Sequence, residues 1–233
     1  MRLVVMLLML LMSVSAWAGT FKDDFSDQDW NGWQVVAADS WDTNVGDRIS
    51  IAEGILSIDS MDKPERQTIL AIIGDWKDYS FSADMRVVKA ESGGDDAGGI
   101  IISRFDDISS YGCYYIMGCT FHGLWGAGSN IKSKSNVNAW VVILAGVPRI
   151  DEWYRLRIDQ EGSKISFYIN DELKNQSNDS LHPSGGVCLS AYNAIVEFDN
   201  VVITGVDIPD VGPSGYAVKP KAKLATTWGK LKK

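Results

Sequence analysis

The sequence contains few of the residues that identify disulfide-rich, zinc-binding or membrane-spanning proteins. Its three cysteines and two histidines in 233 residues are too few for a disulfide scaffold, and they do not follow the spacing of a zinc site. Beyond the N-terminal segment, no apolar run approaches the ~20 residues of a membrane helix. The net charge of −8 gives no positive field to attract phosphates. We therefore expect neither a transmembrane segment nor a nucleic-acid partner.

The cysteines leave several pairings open. Any two of Cys113, Cys119 and Cys188 could form a bridge in an oxidising compartment, with one left over. If Cys113 and Cys119 lie on one extended strand, they are ~20 Å apart, which is too far for a disulfide. The favoured interpretation is that all three are small buried thiols without chemistry.

The N-terminal residues have the features of an export signal. Arg2 supplies a positive charge, Leu3–Met12 is an unbroken apolar run, and Ala16 and Ala18 place small residues at a cleavage site. The apolar run is too short for the alternative, an N-terminal membrane anchor. The sequence predicts a signal peptide over residues 1–18 and a mature protein that is secreted, periplasmic or located at the cell surface.

Alternation of apolar and polar residues dominates the rest of the chain, and helical periodicity is almost absent. Tyr79–Val88 alternates cleanly, and Trp153–Asp171 contains two alternating runs around a tight turn, as in a hairpin with one buried face. Gly98–Phe105 is more uniformly apolar, which is typical of a central strand covered on both faces. The region Gly123–Asn138 is rich in Gly, Ser and Asn and predicts a long surface loop.

These patterns predict an all-β domain followed by a tail. About a dozen short strands joined by short links favour a two-sheet antiparallel sandwich over residues 19–205. Residues 206–233 hold three of the six prolines and six lysines, which predicts a linker and a disordered basic tail. In the alternative interpretation, Trp228 anchors a signal for attachment to the cell surface.

Several motifs occur in an order that resembles a known superfamily. They include FKDDF (Phe21–Phe25), AEGILSI (Ala52–Ile58), AGGIIISRF (Ala97–Phe105) and VEFDNVVI (Val196–Ile203). The succession resembles the concanavalin A-like lectins and glucanases, particularly their laminin-G-like modules, and the related domain of 3-keto-disaccharide hydrolases. This resemblance implies a jelly-roll β-sandwich with carbohydrate lying across the concave sheet.

The catalytic acids of the glucanases are not found where the resemblance places them. Those enzymes carry two carboxylates at alternating positions of one strand, as acid and nucleophile. The corresponding strand here reads YGCYYIMGC, after GGIIISRF, and has no carboxylate. Asp106 and Asp107 precede it, but adjacent loop acids are typical of solvated turns. We identify no catalytic residue. The sequence favours a binding protein and leaves open an enzyme, which would then be a glycoside-acting hydrolase.

The resemblance suggests two kinds of site. Sugar rings pack on aromatic side chains and bond to charged groups, so the residues expected to border the concave sheet are Arg104, Tyr115, Trp125 and Trp140. Many glucanases of the superfamily also hold a structural Ca²⁺, for which the matching residues here are Asp24, Gly54 and Asp199. In the alternative interpretation the tryptophans belong to the core and the aspartates cap strand ends.

Three functions follow as hypotheses from these patterns and from the resemblance. The leading one is an exported carbohydrate-binding module without glucanase-type acids. The second is a hydrolase or lyase acting on modified disaccharides. The third is a protein–protein adhesion domain.

Overall fold

The computed structural model describes residues 18–37, 45–61, 67–91, 97–106, 114–121, 124–131, 137–210 and 212. Residues 1–17 of the predicted signal peptide and most of the predicted linker and tail, with Trp228, lie outside the described residues, as do Cys113 and Asp107. The strands in chain order are β1 (Gly19–Asp23), β2 (Gln34–Ala37), β3 (Ile49–Ala52), β4 (Ile55–Asp59), β5 (Gln67–Trp76), β6 (Tyr79–Ala90), β7 (Gly98–Phe105), β8 (Tyr114–Phe121), β9 (Leu124–Ile131), β10 (Val137–Ile143), β11 (Tyr154–Glu161), β12 (Lys164–Ile169), β13 (Glu172–Asn178), β14 (Gly185–Tyr192) and β15 (Ala194–Gly205).

The strands form two sheets. Sheet A has eight strands in the order β13-β12-β11-β6-β15-β4-β3, and β1 also pairs with β15. Sheet B has seven strands in the order β10-β9-β8-β7-β14-β5-β2. All the described pairs are antiparallel, so the predicted all-β architecture of two antiparallel sheets is confirmed.

Helical structure is scarce in the described part of the chain. It consists of a 3-10 helix at Val45–Arg48. No helix among the described residues is long and apolar enough to cross a membrane.

The hairpin of β11 and β12 is a major part of the core, as the alternation predicts. Leu156 and Ile158 on β11 and Ile165 and Phe167 on β12 are all fully buried. They pack with residues such as Ile101 from sheet B in one cluster between the sheets. Because a buried side chain of this size contributes about 1.5–3 kcal/mol, the hairpin supplies much of the energy that holds the sheets together.

The most apolar predicted strand lies at the centre of a sheet. All eight residues of β7 are buried, and β7 is the fourth of the seven strands of sheet B. Its alternate residues belong to different clusters, with Ile101 between the sheets and Ile100 and Ile102 on the opposite face. The prediction of a strand covered on both faces is therefore confirmed.

Two strands are not predicted by the sequence pattern. The predicted surface loop at Gly123–Asn138 is wrong, because β9 and the start of β10 lie there. In β9 the inward positions are held by buried residues such as Trp125 and Ala127, while glycines occupy the outward positions and conceal the alternation. The other missed strand, β13, is almost entirely polar and forms an edge of sheet A.

One cysteine can be placed fully. Cys188 lies on β14 as a free, buried thiol, and burial raises its pKa well above the ordinary value. A thiol that stays protonated and shielded from solvent has little reactivity. For Cys188, the interpretation as a small apolar residue therefore holds.

Candidate functional site

Sheet B carries the four residues expected at the carbohydrate site, and its outer face is largely apolar in the described residues. Strands alternate sides, so the residues between the inward-facing ones lie on this face. They include a second buried cluster: Val36, Ile69, Ala71, Ile100, Ile102, Phe105, Ile116 and Cys188. The strands β7, β8, β9 and β14, which form the middle of the sheet, contain no Asp or Glu. Their described residues thus supply no pair of carboxylates for glucanase chemistry.

Arg104, expected at this face, points elsewhere because of a β-bulge. Ser103 pairs with Val187 and Phe105 pairs with Gly186, so Arg104 is an extra residue on β7. Its φ is 48°, which is uncommon for a residue with a side chain. Such a bulge re-aims the side chain. The side chain of Arg104 enters the end of the sandwich, where only 1% of it is exposed.

The guanidinium of Arg104 binds three backbone carbonyls from three different links. Nη2 donates to the oxygens of Lys77 at 2.6 Å and Gly162 at 2.9 Å. Nη1 donates to the oxygen of His182 at 2.9 Å. These residues lie in the β5–β6 link, the β11–β12 turn and the β13–β14 link. We call this arrangement the Arg104 clamp, and it fixes one end of the sandwich from inside.

The predicted aromatic platforms are also placed by the structure. Tyr115 is fully buried, its ring lies 4.7 Å from that of His182, and burial raises its pKa to about 12. Trp125 is 2% exposed and packs edge-to-face on Tyr154 at 4.9 Å. Neither ring offers a solvent-exposed face. Trp140 lies on β10 opposite Ser129, and its side chain is outside the described set.

A serine and a histidine lie inside the sandwich at hydrogen-bond distance. Ser129 Oγ and His182 Nε2 are 2.8 Å apart, a separation typical of a nucleophile and its base. However, Ser129 is fully buried and His182 is 4% exposed. A substrate carbonyl or glycosidic carbon cannot reach a hydroxyl in this position, so the pair is part of the packing.

The three residues matched to a calcium site lie near one junction along β15. Asp23, next to Asp24, pairs with Val201, and Leu56, just after Gly54, pairs with Phe198. Asp199 thus lies on β15 between the segment that pairs with β4 and the segment that pairs with β1. Its Oδ1 accepts the N–H of Asn200 at 2.6 Å, and Asp24 accepts the N–H of Ser26. The described residues contain no group of three or more His, Cys, Asp or Glu side chains that could hold a metal.

A buried carboxylate ties the start of the domain to the second strand. Asp23 Oδ1 accepts the N–H of Phe25 at 2.9 Å, and its Oδ2 accepts the indole N–H of Trp33 at 2.8 Å. Only 5% of Asp23 is exposed. Burial raises the pKa of Asp23 to about 6, although both hydrogen bonds act to lower it. No pattern in the sequence distinguishes this carboxylate from its neighbour Asp24.

A polar cavity of about 430 Å³ lies on the outer face of sheet A, at the end that the Arg104 clamp fixes. We call it the Tyr168 pocket. Three residues form a row across neighbouring strands, because Asp159 on β11 pairs with Ser80 on β6 and with Ser166 on β12. The complete lining is Asp78, Tyr79, Ser80, Asp159, Gln160, Glu161, Lys164, Ser166 and Tyr168.

Tyr168 is held in place by a cation–π contact. The guanidinium carbon of Arg157 lies 3.9 Å from the centre of the Tyr168 ring. Nη1 of the same arginine is 3.0 Å from Asp171 Oδ1. Tyr168 is half-buried, so an ordered aromatic ring with a phenolic hydroxyl borders the cavity.

Asp159 has one oxygen that is occupied and one that is available. The Ser80 hydroxyl donates to Oδ1 at 2.6 Å, and Arg157 Nε lies 3.3 Å from the same oxygen. Among the described residues, no donor contacts Oδ2. The side chain is 36% exposed, so Oδ2 can accept a hydrogen bond from a ligand hydroxyl.

The clamp and the pocket share a wall. Asp78 Oδ1 accepts the N–H of Gly162 at 2.7 Å and lies 3.6 Å from Arg104 Nη2. Asp78 is therefore the residue common to both: it lines the pocket, and it links the turn after β11 to Arg104 of the clamp. Arg104 acts behind the pocket rather than inside it.

The resemblance to known proteins is broad at the level of fold. The carbohydrate binding module CBM66 from Bacillus subtilis superposes with a TM-score of 0.50 at 20% identity, covering 74% of this chain and 95% of that one. The Bacillus licheniformis beta-glucanase superposes with a TM-score of 0.56 at 13% identity, covering 80% of this chain and 98% of that one. The GlcNAcα1-4Gal releasing endo-β-galactosidase from Clostridium perfringens gives 0.57 at 12%, covering 80% and 62%. The fold is thus the concanavalin A-like jelly roll.

The family assignment comes from the sequence match. No curated protein matches the chain. A family model described as the 3-keto-alpha-glucoside-1,2-lyase-like domain matches residues 20–204, which include nearly every described strand. The chain therefore belongs to the family of 3-keto-alpha-glucoside-1,2-lyase-like domains.

Proposed function

We propose that this protein binds carbohydrate outside the cytoplasm and that the Tyr168 pocket is its binding site. The observation that carries the proposal is the combination of an ordered aromatic ring and an available carboxylate oxygen in one cavity of about 430 Å³. A sugar presents C–H groups that pack on an aromatic ring and hydroxyls that donate to a carboxylate. A few convergent polar groups in a concave site are typical of small-ligand recognition.

One further observation and one expectation from the sequence support this function. CBM66, one of the structures with the same fold, is a carbohydrate binding module. The N-terminal export signal expected from the sequence agrees with a role in the periplasm, at the cell surface or in the medium, where polysaccharides are met.

The second candidate function is cleavage of a 3-keto-α-glucoside, favoured by the family match over residues 20–204. The Tyr168 pocket contains Asp159 and Glu161, and a pair of acids is the minimum for general acid–base work on a glycosidic bond.

An adhesion domain without a glycan ligand is the third candidate, and it would leave the Tyr168 pocket empty when oligosaccharides are titrated.

Replacement of Tyr168 by alanine should weaken oligosaccharide binding roughly tenfold, because central aromatic contacts commonly contribute more than 1 kcal/mol. The measurement is titration calorimetry with a panel of oligosaccharides, including 3-keto-α-glucosides, with product analysis after each titration. Trp153→Ala is the matched control, since Trp153 is also an aromatic under an arginine, with Arg86 at 4.9 Å, but outside the pocket.

Each outcome of this experiment separates the candidates. Binding without products, lost in Tyr168→Ala and kept in Trp153→Ala, supports a binding module. Product formation that requires Tyr168 supports the lyase or hydrolase. Equal binding by both variants would place the glycan elsewhere, and no binding by the wild-type protein would favour adhesion.

We also propose a structural Ca²⁺ at the junction of β1, β4 and β15. The donors would be the Asp199 carboxylate and backbone carbonyls near Asp24 and Gly54, and such hard oxygen ligands fit the ion. The convergence of these three segments along β15 supports the proposal.

Removal of calcium should therefore lower the melting midpoint. An ion at about a hundred times its dissociation constant stabilises by about 2.7 kcal/mol, which corresponds to a shift of about 5–10 °C. The check is a melting scan with and without chelator. Asp199→Asn keeps an acceptor for the Asn200 N–H. Its melting midpoint should equal the lowered, chelator-treated value of the wild type, both with and without chelator. If the melting midpoint of the wild-type protein is the same with and without chelator, the proposed calcium ion is excluded.

A further inference from the structure

The free groups around the Tyr168 pocket are mainly hydrogen-bond acceptors. Its lining contains three carboxylates, from Asp78, Asp159 and Glu161, and one ammonium, from Lys164. Glu161 and Lys164 pair with each other across the end of the hairpin. Asp78 is 61% exposed and Asp159 is 36% exposed, so both carboxylates can contact a ligand even though each lies within ion-pair distance of an arginine, Arg104 and Arg157.

The two arginines next to the pocket already contact protein groups, although the buried Nε of Arg157 makes no hydrogen bond. Arg104 donates four hydrogen bonds to the carbonyls of the clamp. Arg157 contacts Asp159, Asp171 and the Tyr168 ring. Neither guanidinium lines the cavity. Bidentate recognition of a carboxylate or sulfate by arginine, the usual way in which proteins bind acidic groups, therefore has no free donor pair in this lining.

We infer that the Tyr168 pocket selects its sugar by charge: it prefers an amine-bearing sugar, accepts a neutral one and rejects a uronate or a sulfated sugar. This inference rests on the proposed carbohydrate-binding function. An ammonium placed near Asp159 Oδ2 gains the attraction of an available carboxylate oxygen. A uronate in the same position meets that oxygen as a like charge.

The expected size of the selection follows from Coulomb's law. Two unit charges about 5 Å apart that remain as hydrated as in bulk water change affinity about fourfold. The order of affinity should therefore be amine, neutral and uronate, with about a fourfold step between neighbours at low salt. Because exposed charges are screened, the steps should shrink as salt rises.

The test uses three tetrasaccharides titrated into the full-length protein at about pH 6, where sugar amines are protonated. They are a glucosamine tetramer, its fully N-acetylated form and a galacturonate tetramer. The first two share one backbone and differ in the amine charge. Titration at low and high salt then isolates the electrostatic part of the affinity.

Glu161→Gln is the diagnostic variant, because Glu161 is exposed at the end of a strand and its replacement leaves the fold intact. It should reduce the preference for the amine tetramer over its N-acetylated form by up to about fourfold. Glu172→Gln is the matched control, since Glu172 is an exposed carboxylate of β13 outside the pocket lining. It should leave the preference unchanged.

The results separate this inference from the proposed function. Equal affinity for the three tetramers, or tightest binding of the uronate, would overturn the charge selection while keeping the carbohydrate function. An equal effect of Glu172→Gln would show that net charge rather than the pocket is responsible, which also overturns the inference. Binding of none of a wide oligosaccharide panel would remove the proposed function itself.

Discussion

Replacing Arg104 by leucine should lower the free energy of unfolding by about 3–5 kcal/mol, as expected when one partner of a buried charged network is removed. The reason is the Arg104 clamp. Three backbone carbonyls, from Lys77, Gly162 and His182, would lose their donor. Leucine cannot replace these bonds, and a buried carbonyl without a partner is costly. The measurement is urea denaturation followed by tryptophan fluorescence.

Arg155→Leu is the control for the loss of an arginine. Its guanidinium also makes several bonds, to Asp84, Ser82 and Asn200, but it is 31% exposed on the outer face of sheet A. Water can replace those bonds, so the loss should be about 1 kcal/mol. If Arg104→Leu unfolds like the wild type yet no longer binds glycan, then Arg104 contacts ligand and the clamp is not structural.

Replacing Asp23 by asparagine should change how stability depends on pH. The pKa of Asp23 is about 6 in the folded protein and 3.8 in the unfolded chain. Between these values the native state binds more protons, so the stability due to Asp23 is complete below about pH 4 and is lost as pH rises through 6. A difference of this size corresponds to about 3 kcal/mol.

The quantity to compare is the difference in unfolding free energy between Asp23→Asn and the wild type. Asparagine carries no buried charge, so the variant should gain about 3 kcal/mol relative to the wild type between acid and neutral pH. Asp24→Asn is the matched control for the removal of one carboxylate from this segment, because Asp24 is the adjacent residue and is only half-buried. Parallel pH profiles of the wild type and Asp23→Asn would contradict the assigned pKa.

Alternation predicts the strands that have one buried face and one solvated face. The pattern alone thus assigns Leu156 and Phe167 to the core, and both are fully buried. Alternation does not reveal β9, where outward glycines remove the polar half of the pattern, or β13, whose edge position requires no apolar residues. The strand pattern is therefore readable only where the two faces differ in chemistry.

The site is harder to predict than the strands, because strand register decides which side of the sheet a residue faces and which residues of neighbouring strands lie side by side. Ser80, Asp159, Ser166 and Tyr168 are visible in the sequence as outward polar positions, but only strand pairing brings them together. The bulge at Arg104 reverses the direction that alternation assigns to its side chain. A one-residue insertion has this effect on every prediction of which side a residue faces.

The Arg104 clamp has a consequence for how the binding surface can vary. It holds main-chain oxygens, so a change of side chain at a link position such as Lys77 leaves the same oxygen in place, whereas Gly162, with a φ of 57°, favours glycine. Side chains around the cavity can therefore be exchanged without loosening the loops that carry them. In a laboratory library that randomises positions such as 80, 161 and 166, variants should differ in the sugar they retain while sharing one backbone. The fold thus fixes the backbone around the cavity through the Arg104 clamp and leaves the side chains that line the cavity free to change during evolution.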